Sequence, residues 1–320
     1  MADRGRAARG GVVRAAEVLA AGVADAVLGE PRVAHPVRGM GSALLAGRRW
    51  NAEADRSPRS RKLAGTALVL GGACLSWWSG RVLAGRARPG AAAILRRGIA
   101  VSWVISLREL LAAGRRVRRA LEAGDLEGAR ASLARDLVSR NTRDLTADEV
   151  AGAAIQSLAE NLNDAFVAPL FWGSVAGPGA AYAYRWVNTA DAVLGYRTAE
   201  LEDFGWAAAR SDDVLGWIPA RLTAAALILA APTAGGSSHG ALRALRASAH
   251  VTPSPNGGWP MAAAAGALDV RLEKRGAYVL NPAGLPPTAE RLEAAERLIA
   301  RAGGMAVALA IGLDLSFGRA

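Results

Sequence analysis

Long runs without a charged residue constrain this chain of 320 residues more than any other feature. Residues 63–80, 165–184 and 222–242 form runs of 18, 20 and 21 residues that contain no Asp, Glu, Lys or Arg. A helix of about 20 apolar residues crosses the hydrocarbon core of a bilayer. Because lipid offers the backbone no hydrogen-bond partner, such segments fold as helices. The runs therefore predict an all-α, polytopic integral membrane protein.

The ends and interruptions of these runs refine the prediction. Trp77 and Trp78 lie at the end of the first run, as aromatic residues often do at a membrane interface. Pro169 and Pro178 interrupt the second run, which predicts two half-helices or a re-entrant segment. The third run ends in a Gly/Ser turn at residues 235–238, and shorter runs cover 98–107 and 302–313. We expect about four or five transmembrane helices with polar helical loops; a soluble protein with very apolar buried helices is the alternative.

Charge and cysteine content narrow the function classes. The formal net charge is +11 and comes almost entirely from arginine, which suits nucleic acid, anionic lipid or anionic substrates. No helix-turn-helix, zinc-finger or RNA-binding pattern is present, so we expect a lipid bilayer and no nucleic acid as partner. Cys74, the single cysteine, excludes an intrachain disulfide and a thiol zinc site. Glu17 and Asp25 interrupt the apolar N-terminal stretch, so residues 10–28 are predicted to be a first helix and not a signal peptide.

A helix is predicted to begin at Ala147, directly after a capping box. The Thr146 side chain can accept from the backbone N–H of Glu149, and the Glu149 side chain can reach back. Strand signals are weak throughout the chain. Carboxylates that enter an apolar stretch are costly unless paired or coordinated, so the polar face of this helix is either a Mg²⁺ or substrate-amine site or a hydrated helix end. Helical spacing places four residues on that face: Gln156, Glu160, Asn163 and Asp164.

The segment from Tyr184 to Arg221 interleaves acids and arginines with aromatic residues. Arginine forks onto phosphate oxygens, and carboxylates bind Mg²⁺ that bridges phosphates. The segment therefore suits a ligand that carries both phosphate and metal; a set of interfacial salt bridges is the alternative. Its principal polar residues are Arg185, Asn188, Asp191, Arg197, Arg210, Asp212, Asp213 and Arg221.

Two more segments stand out. The loop at residues 250–260 contains three prolines and two glycines, and a helix over 261–270 is predicted to follow it. Backbone N–H groups near a helix N-terminus bind anions, although the loop could equally be a rigid connector. An early polar motif joins Asp25, residues 29–31 and residues 35–38. No P-loop, dinucleotide fingerprint or HExxH pattern is present, so any nucleotide site is of another type.

These motifs, in this order, closely resemble those of the CobD/CbiB family, the adenosylcobinamide-phosphate synthases of cobalamin biosynthesis. The resemblance covers residues 25 to about 270. It is carried by D-x-x-x-G-E-P with H-P-V-R, S-R-N-T-R-D-L, A-E-N-L-N-D-A-F-V-A-P-L-F-W, Y-R-W-V-N-T-A-D-A-V-L-G-Y-R, F-G-W-A-A-A-R-S-D-D-V with I-P-A-R-L-T-A, and P-S-P-N-G-G-W-P.

The resemblance implies a ligase in the cell inner membrane, built as one multi-pass, membrane-embedded domain over residues 1–320 with its active site on the cytoplasmic side. Its reaction would be ATP-dependent amide formation between adenosylcobyric acid and (R)-1-aminopropan-2-ol O-phosphate, or a related amino alcohol, giving adenosylcobinamide phosphate. The corrinoid is then a substrate and Mg²⁺ the expected metal. Other cobalamin-biosynthesis enzymes and a second copy of the chain are further partners that the resemblance leaves open.

Residue roles follow from the resemblance and from the chemistry that the reaction needs. Phosphate groups call for arginine and Mg²⁺, and the attacking ammonium must lose a proton to a base. Trp172, Trp186 and Trp206 are expected near a cleft for the corrin. The catalytic candidates are Glu160, Asp164, Asp212 and Asp213, with Glu160, Asp164 and Asp213 as metal ligands. The substrate-binding candidates are His35, Arg38, Arg140, Arg143, Asn161, Asn188, Asp191, Arg197, Arg210, Arg221 and Asn256.

Three positions depart from the family pattern: Asn141 and Met261 stand where acids are usual, and Ala165 replaces a glycine. We interpret the two lost acids as non-catalytic, since the other acids are in place. A membrane transporter of a small anionic solute is the competing interpretation, because prolines at 169, 178 and 219 could break membrane helices around charged residues. Polar motifs clustered in loops and at helix ends favour the enzyme, because a transporter should place them mid-span.

Overall fold

The computed structural model describes residues 2–31, 35–53, 57–86 and 90–317. These residues are mostly helical, which confirms the all-α prediction, although one short antiparallel hairpin is present that weak strand signals did not reveal. The chain packs into two compact units. The first comprises the residues up to 106, residues 168–216 and the end of the chain from 307. The second comprises residues 107–167 and 217–306. The predicted single domain stays a prediction.

The first unit is a helical assembly in which α3 packs chiefly against α9. Trp186 on α9 is buried and donates a hydrogen bond from Nε1 to the Val69 carbonyl of α3 (3.1 Å). Gly72 leaves the space that the Trp186 ring fills. The helices are α1 (Ala2–Leu28), α2 (Pro36–Ala52), α3 (Pro58–Ala84), α4 (Ala91–Ser102), α8 (Ala168–Ala176), α9 (Pro178–Leu194), α10 (Trp206–Leu215) and the last residues of α14 (Ala289–Phe317).

The second unit surrounds α7, which is buried on nearly every side. Burying a helix all round needs apolar or small residues at every position of the helix, and α7 has Val150, Ala154, Ile155 and Leu158 at 0–1% exposure. Its elements are α5 (Leu107–Glu122), α6 (Leu126–Asp136), α7 (Ala147–Leu162), a π-helix (Asn163–Val167), α11 (Trp217–Ala230), a 3₁₀-helix (Ala231–Ala234), α12 (Ser238–Ser248), α13 (Gly258–Ala267), β1 (Leu272–Lys274), β2 (Tyr278–Leu280) and the first part of α14.

Several helix boundaries confirm the sequence predictions. Helix α7 begins at Ala147, and both hydrogen bonds of the capping box are formed. The run 165–184 is divided as predicted: α8 ends at Ala176 and α9 begins at Pro178, with Gly177 between them at φ 83°. The first helix extends beyond the predicted 10–28 to Ala2, because the Ala- and Arg-rich residues before it favour helix.

Three boundaries differ from the predictions for identifiable reasons. The run 222–242 is not one helix: α11 ends at Ala230, and a 3₁₀ turn follows at Pro232, which lacks the N–H that an α-helix needs. The helix predicted at 261–270 begins at Gly258, because Pro260 is tolerated in a first turn whose N–H groups have no partner anyway. The polar face predicted on α7 passes into the π-helix at Asn163, which changes the helical spacing.

Two helical segments in the described ranges are long and apolar enough to cross a membrane, judged by length and composition: Pro58–Ala84 and Trp217–Ala234. The first segment contains the uncharged run 63–80, and the second contains residues 222–234 of the run 222–242. The second run does not qualify, since its break at Gly177 leaves two helices too short to span. Only 22% of the apolar window in α3 is buried, and Leu63, Leu70 and Leu75 are more than half exposed. An apolar helix left uncovered in this way suits contact with lipid.

Candidate functional site

A cavity of about 150 Å³ lies beside α7 in the second unit and contains two of the predicted site residues. Glu160, near the end of α7, and Arg140, in the segment before it, both line this cavity. Gln156 and Tyr278 line it as well, joined by a hydrogen bond of 3.2 Å between the Tyr278 hydroxyl and Gln156 Oε1. The Gln156 amide also donates to the Glu273 carbonyl (3.1 Å), which fixes its orientation.

The loop after α12 and the side chain of Tyr278 lie near the Glu160 carboxylate. The loop after α12 passes close by: a Cβ at Gly257 would lie 3.0 Å from Glu160 Oε1. The pKa of Tyr278 is raised to about 12, chiefly by burial and further by the negative charge of Glu160, while the positive charge of Arg140 opposes the rise. Tyr278 is therefore a neutral hydroxyl at physiological pH, able to donate or accept a hydrogen bond. The cavity thus combines one carboxylate with two cationic residues, Arg140 and Lys274, and several neutral polar groups.

Asp164 lies in the π-helix, and its carboxylate accepts a hydrogen bond from Asn163 Nδ2 (2.7 Å). Asn163 is buried and accepts in turn from the hydroxyl of Thr223 (3.0 Å), which is fully buried. This chain of contacts orients Asp164 through its neighbour. Asn161 donates hydrogen bonds from its amide to the carbonyl and hydroxyl of Ser157, one turn earlier on α7; its role in substrate binding stays a prediction.

Two of the predicted substrate-binding residues, Arg221 and Asn256, contact each other beside the loop at residues 250–257. Arg221 Nη1 donates to Asn256 Oδ1 (2.8 Å), and the guanidinium lies 4.3 Å from the Trp217 ring and 4.5 Å from the Trp259 ring. Ser254 accepts from the backbone N–H groups of Asn256 and Gly257, which fixes the turn. Arg221 is thus a stacked arginine that braces this loop. Arg143 differs: it is exposed, and its backbone N–H donates to Asn141 Oδ1 (3.0 Å).

Apart from Arg221, the acids and arginines of the predicted segment lie in the first unit, on α9, on α10 and in the loop between them. Asn188 accepts from Arg185 Nη1 (3.1 Å) and donates to Asp212 Oδ1 (3.3 Å). Arg210 lies 3.8 Å from Asp213. Burial raises the pKa of Asp213, while the charges of Arg210 and Arg197 oppose the rise. Asp191 lies half-buried on α9, one turn after Asn188.

The early polar motif forms a contact of its own in the first unit. Glu30 accepts from His35 Nε2 (2.8 Å) and from the Ser106 hydroxyl. His35 Nδ1 accepts the backbone N–H of Val37 (3.2 Å), so this nearly buried histidine caps α2. Because both ring nitrogens of His35 form hydrogen bonds, this side chain fixes the backbone at the start of α2. Arg38 on the first turn of α2 is exposed.

Sequence reasoning gave no role to Tyr278 or Gln156, which line the cavity beside α7, and it misplaced one aromatic residue. Tyr278 lies after the last matched motif, on a hairpin with no strong pattern, so no sequence signal pointed to it. Gln156 was placed on the polar face but was not assigned a role. Trp186 is buried and unavailable to a corrin, whereas Trp206 is 44% exposed with Lys62 Nζ 3.8 Å from its ring centroid.

The structure shows the surroundings of the three residues that depart from the family pattern. Asn141 is exposed and caps a turn, as its contact with Arg143 shows. Ala165 is buried in the π-helix. Met261 is buried on α13 with its sulfur 3.7 Å from the Tyr278 hydroxyl.

A magnesium ion would find partial ligand sets in these clusters. Among the described residues, no three of His, Cys, Asp and Glu converge as a preformed metal cluster. Mg²⁺, however, usually binds through one or two carboxylates together with substrate phosphates and water. Glu160 beside Arg140, and Asp213 beside Arg210 and Arg197, each offer a carboxylate next to cations that suit phosphate. The donor sets therefore fit a Mg²⁺ ion bound together with a phosphate-bearing ligand.

Two apolar helices and clusters of acids with arginines define a class: a helical, membrane-compatible protein whose polar clusters suit phosphate-bearing ligands. The sequence profile of the CobD/Cbib protein family matches residues 18–305. The chain belongs to this family.

Relatives named as cobalamin biosynthesis proteins match most of the chain. The "Probable cobalamin biosynthesis protein CobD" of Methanothrix thermoacetophila is 38% identical over 295 residues, covering 87% of this chain and 90% of its own. The "Cobalamin biosynthesis protein CobD" of Mycobacterium tuberculosis is 38% identical over 259 residues, covering 81% and 80%. A Methanothermobacter thermautotrophicus relative is 45% identical over 183 residues, but this chain spans only 61% of that protein's length. No solved structure matches the chain.

Proposed function

We propose that this protein acts in cobalamin biosynthesis as an integral-membrane, Mg²⁺- and ATP-dependent ligase. It would join a propionate of adenosylcobyric acid to (R)-1-aminopropan-2-ol O-phosphate, or a related amino alcohol, to give adenosylcobinamide phosphate. Family membership and the names of its relatives support the pathway. The apolar helices Pro58–Ala84 and Trp217–Ala234 support a place in the membrane.

The observation that carries the proposed chemistry is the cavity beside α7, where Glu160 and Arg140 line one space. Its volume of about 150 Å³ equals roughly five water molecules at about 30 Å³ each. A small amino-alcohol phosphate suits this size, whereas a corrin ring is far too large. Arg140 would hold the phosphate, and Glu160 would attract the ammonium group and take its proton.

The reaction balances with these groups. ATP converts the carboxylate into a mixed anhydride with phosphate and leaves as ADP. The neutral amine, once its proton has passed to a carboxylate, attacks the acyl carbon, the C–N bond forms, and phosphate departs. Asp164, Asp212 and Asp213 are the further acids proposed to hold Mg²⁺ or to move protons, and Arg197 and Arg210 the further arginines proposed for phosphate.

An assay of the purified protein tests the proposal. With ATP, Mg²⁺, adenosylcobyric acid and aminopropanol phosphate, mass spectrometry should detect the amide product, and ADP release should require both organic substrates. The transporter alternative makes the opposite prediction: corrinoid or another anion would cross the membrane of sealed vesicles with no amide formed. If protein that is shown to be folded forms no amide product, the ligase proposal is wrong.

A further inference from the structure

The first unit contains a second polar cavity that the proposed reaction does not use. It measures about 660 Å³ and lies at the C-terminal end of α3, next to the break between α8 and α9. Three arginines line it: Arg81, Arg86 and Arg97. Arg97 is paired with Glu17 (2.8 Å), whereas Arg81 and Arg86 are exposed to solvent. The cavity therefore carries excess positive charge.

Backbone groups add to this positive character. The N-terminal turn of α9 borders the cavity at Gly177, Pro178 and Gly179, and no side chain caps this helix end. Pro178 has no N–H, and the Ala180 N–H bonds the Gly177 carbonyl (2.9 Å), so the Gly179 N–H and the helix dipole are what favour an anion here. Helix α9 can approach α3 this closely because small residues meet there: a Cβ at Gly179 would lie 2.7 Å from the Trp77 carbonyl and 2.9 Å from Arg81 Cγ.

The position of the cavity suggests the source of the anion. It lies at one end of α3, which is apolar, long enough to span a bilayer and mostly unburied. Trp78 and Val82 line the cavity and are more than half exposed, and the Arg81 guanidinium lies 4.6 Å from the Trp77 ring. Tryptophan and arginine together at the end of an apolar helix are typical of the headgroup level of a membrane. Basic pockets between membrane helices bind anionic lipid headgroups.

We propose that this cavity binds the phosphate of an anionic phospholipid, with the acyl chains along the exposed apolar face of α3. Arg81 and Arg86 contact the headgroup, and Arg97, held by Glu17, forms the inner wall. The inference rests on the proposed membrane location of α3 and is independent of the ligase chemistry.

Lipid binding by the purified full-length protein in neutral detergent provides the test, measured by native mass spectrometry. Phosphatidylglycerol should remain bound, and phosphatidylcholine should not. Replacing both exposed arginines (Arg81→Gln with Arg86→Gln) should weaken phosphatidylglycerol binding about 10- to 30-fold, since each basic residue near an anionic surface contributes roughly 1 kcal/mol. The matched control, Arg243→Gln with Arg246→Gln, removes the same charge from exposed positions on α12 and should bind like the wild type.

Several results would overturn the inference. One is equal loss of lipid in both double variants, which would indicate a general charge effect. Another is equal retention of the two lipids by the wild-type protein, a comparison that depends on no variant. Protection against thermal unfolding by inorganic phosphate or glycerol 3-phosphate equal to that by phosphatidylglycerol would indicate a site for free phosphate.

Carbonate washing of membranes separates this inference from the proposal on which it rests. Release of the protein would contradict the membrane location of α3 and the lipid site together. Retention without selectivity for phosphatidylglycerol would contradict the lipid site alone.

Discussion

Glu160 is the carboxylate on which the proposed chemistry most depends, because it lines a small cavity with Arg140 and Tyr278. We expect Glu160→Gln to lower turnover about 100-fold, the scale of losing a positioned acid–base group, while the shape of the side chain is retained. Asp164→Asn should have a comparable effect if this acid holds Mg²⁺. Turnover in the assay above and thermal unfolding of the same preparations provide the measurement.

Glu127→Gln is the matched control for these two variants. The Glu127 side chain is 82% exposed and contacts Arg130 on its own helix, so its loss should change stability by no more than about 0.5 kcal/mol and leave turnover unchanged. Near-wild-type rates for both acid-to-amide variants, together with a large gain from Met261→Glu, would place the catalytic acids on another segment.

Asp213 allows a pH test, because burial raises the pKa of its carboxyl group. An acid with a raised native pKa favours the protonated form, so its contribution to stability falls as pH rises from its ordinary value of 3.8 through the native pKa. Asp213→Asn cannot ionise and should therefore be at least as stable as the wild type at pH 7.5. The difference in Tm should shrink as pH falls toward 4. A variant that is less stable at pH 7.5 would show that the contact with Arg210 outweighs burial.

Individual residues were predictable where local chemistry identifies them. The capping box at Thr146 and Glu149 depends only on residues three apart, and it formed as predicted. Tyr278 could not be found in this way, because it meets Gln156 through tertiary packing across 122 positions of sequence. Trp186 was misplaced for a related reason: its burial depends on Gly72 of a distant helix.

The break between α8 and α9 depends on the backbone conformation of one glycine, Gly177. Gly177 has φ 83° and ψ 174°, a region that residues with a Cβ adopt only at a cost of about 1–3 kcal/mol. We expect Gly177→Ala to lower the free energy of unfolding by that amount, measured as a shift in Tm or denaturant midpoint. Gly90→Ala is the control, since Gly90 is extended at φ −174° and a Cβ there meets no atom within 4 Å. An equal loss in both variants would contradict this explanation.

At the scale of elements, proline was informative only together with its position in the helix. Pro178 correctly marked the start of α9, because the first helical position tolerates proline. The predicted start of α13 after Pro260 was wrong for the same reason. Pro260 lies inside the first turn of α13 and not before it. The π-helix after α7 has no signature in local propensity, so the change of spacing at Asn163 could not be predicted.

The native cysteine reports on the membrane arrangement of the whole molecule. Cys74 is exposed on α3, so a protein in water would react readily with a charged maleimide. Within a bilayer we expect Cys74 to resist this reagent in intact membranes and to react after denaturation. Rapid labelling of Cys74 in membranes would contradict a transmembrane α3.

An introduced cysteine tests orientation in a Cys74→Ala background. Val214 is 74% exposed and follows Asp213 directly, so Val214→Cys should label only after cells are permeabilised if this region faces the cytoplasm. Labelling from outside intact cells would contradict that orientation. The charge pattern could not settle this point, because basic blocks flank the first apolar run on both sides.

The packing of α3 against α9 has a consequence for biogenesis. The ribosome completes α3 at Ala84 well before it reaches Pro178, a delay of roughly 5–20 s at about 5–20 residues per second. During that interval α3 must persist in the translocon or in lipid without the indole of Trp186. The face of α3 that receives α9 includes Gly72 and Gly80, so in lipid this part of the helix leaves a small-residue groove open until the Trp186 ring and the start of α9 fill it.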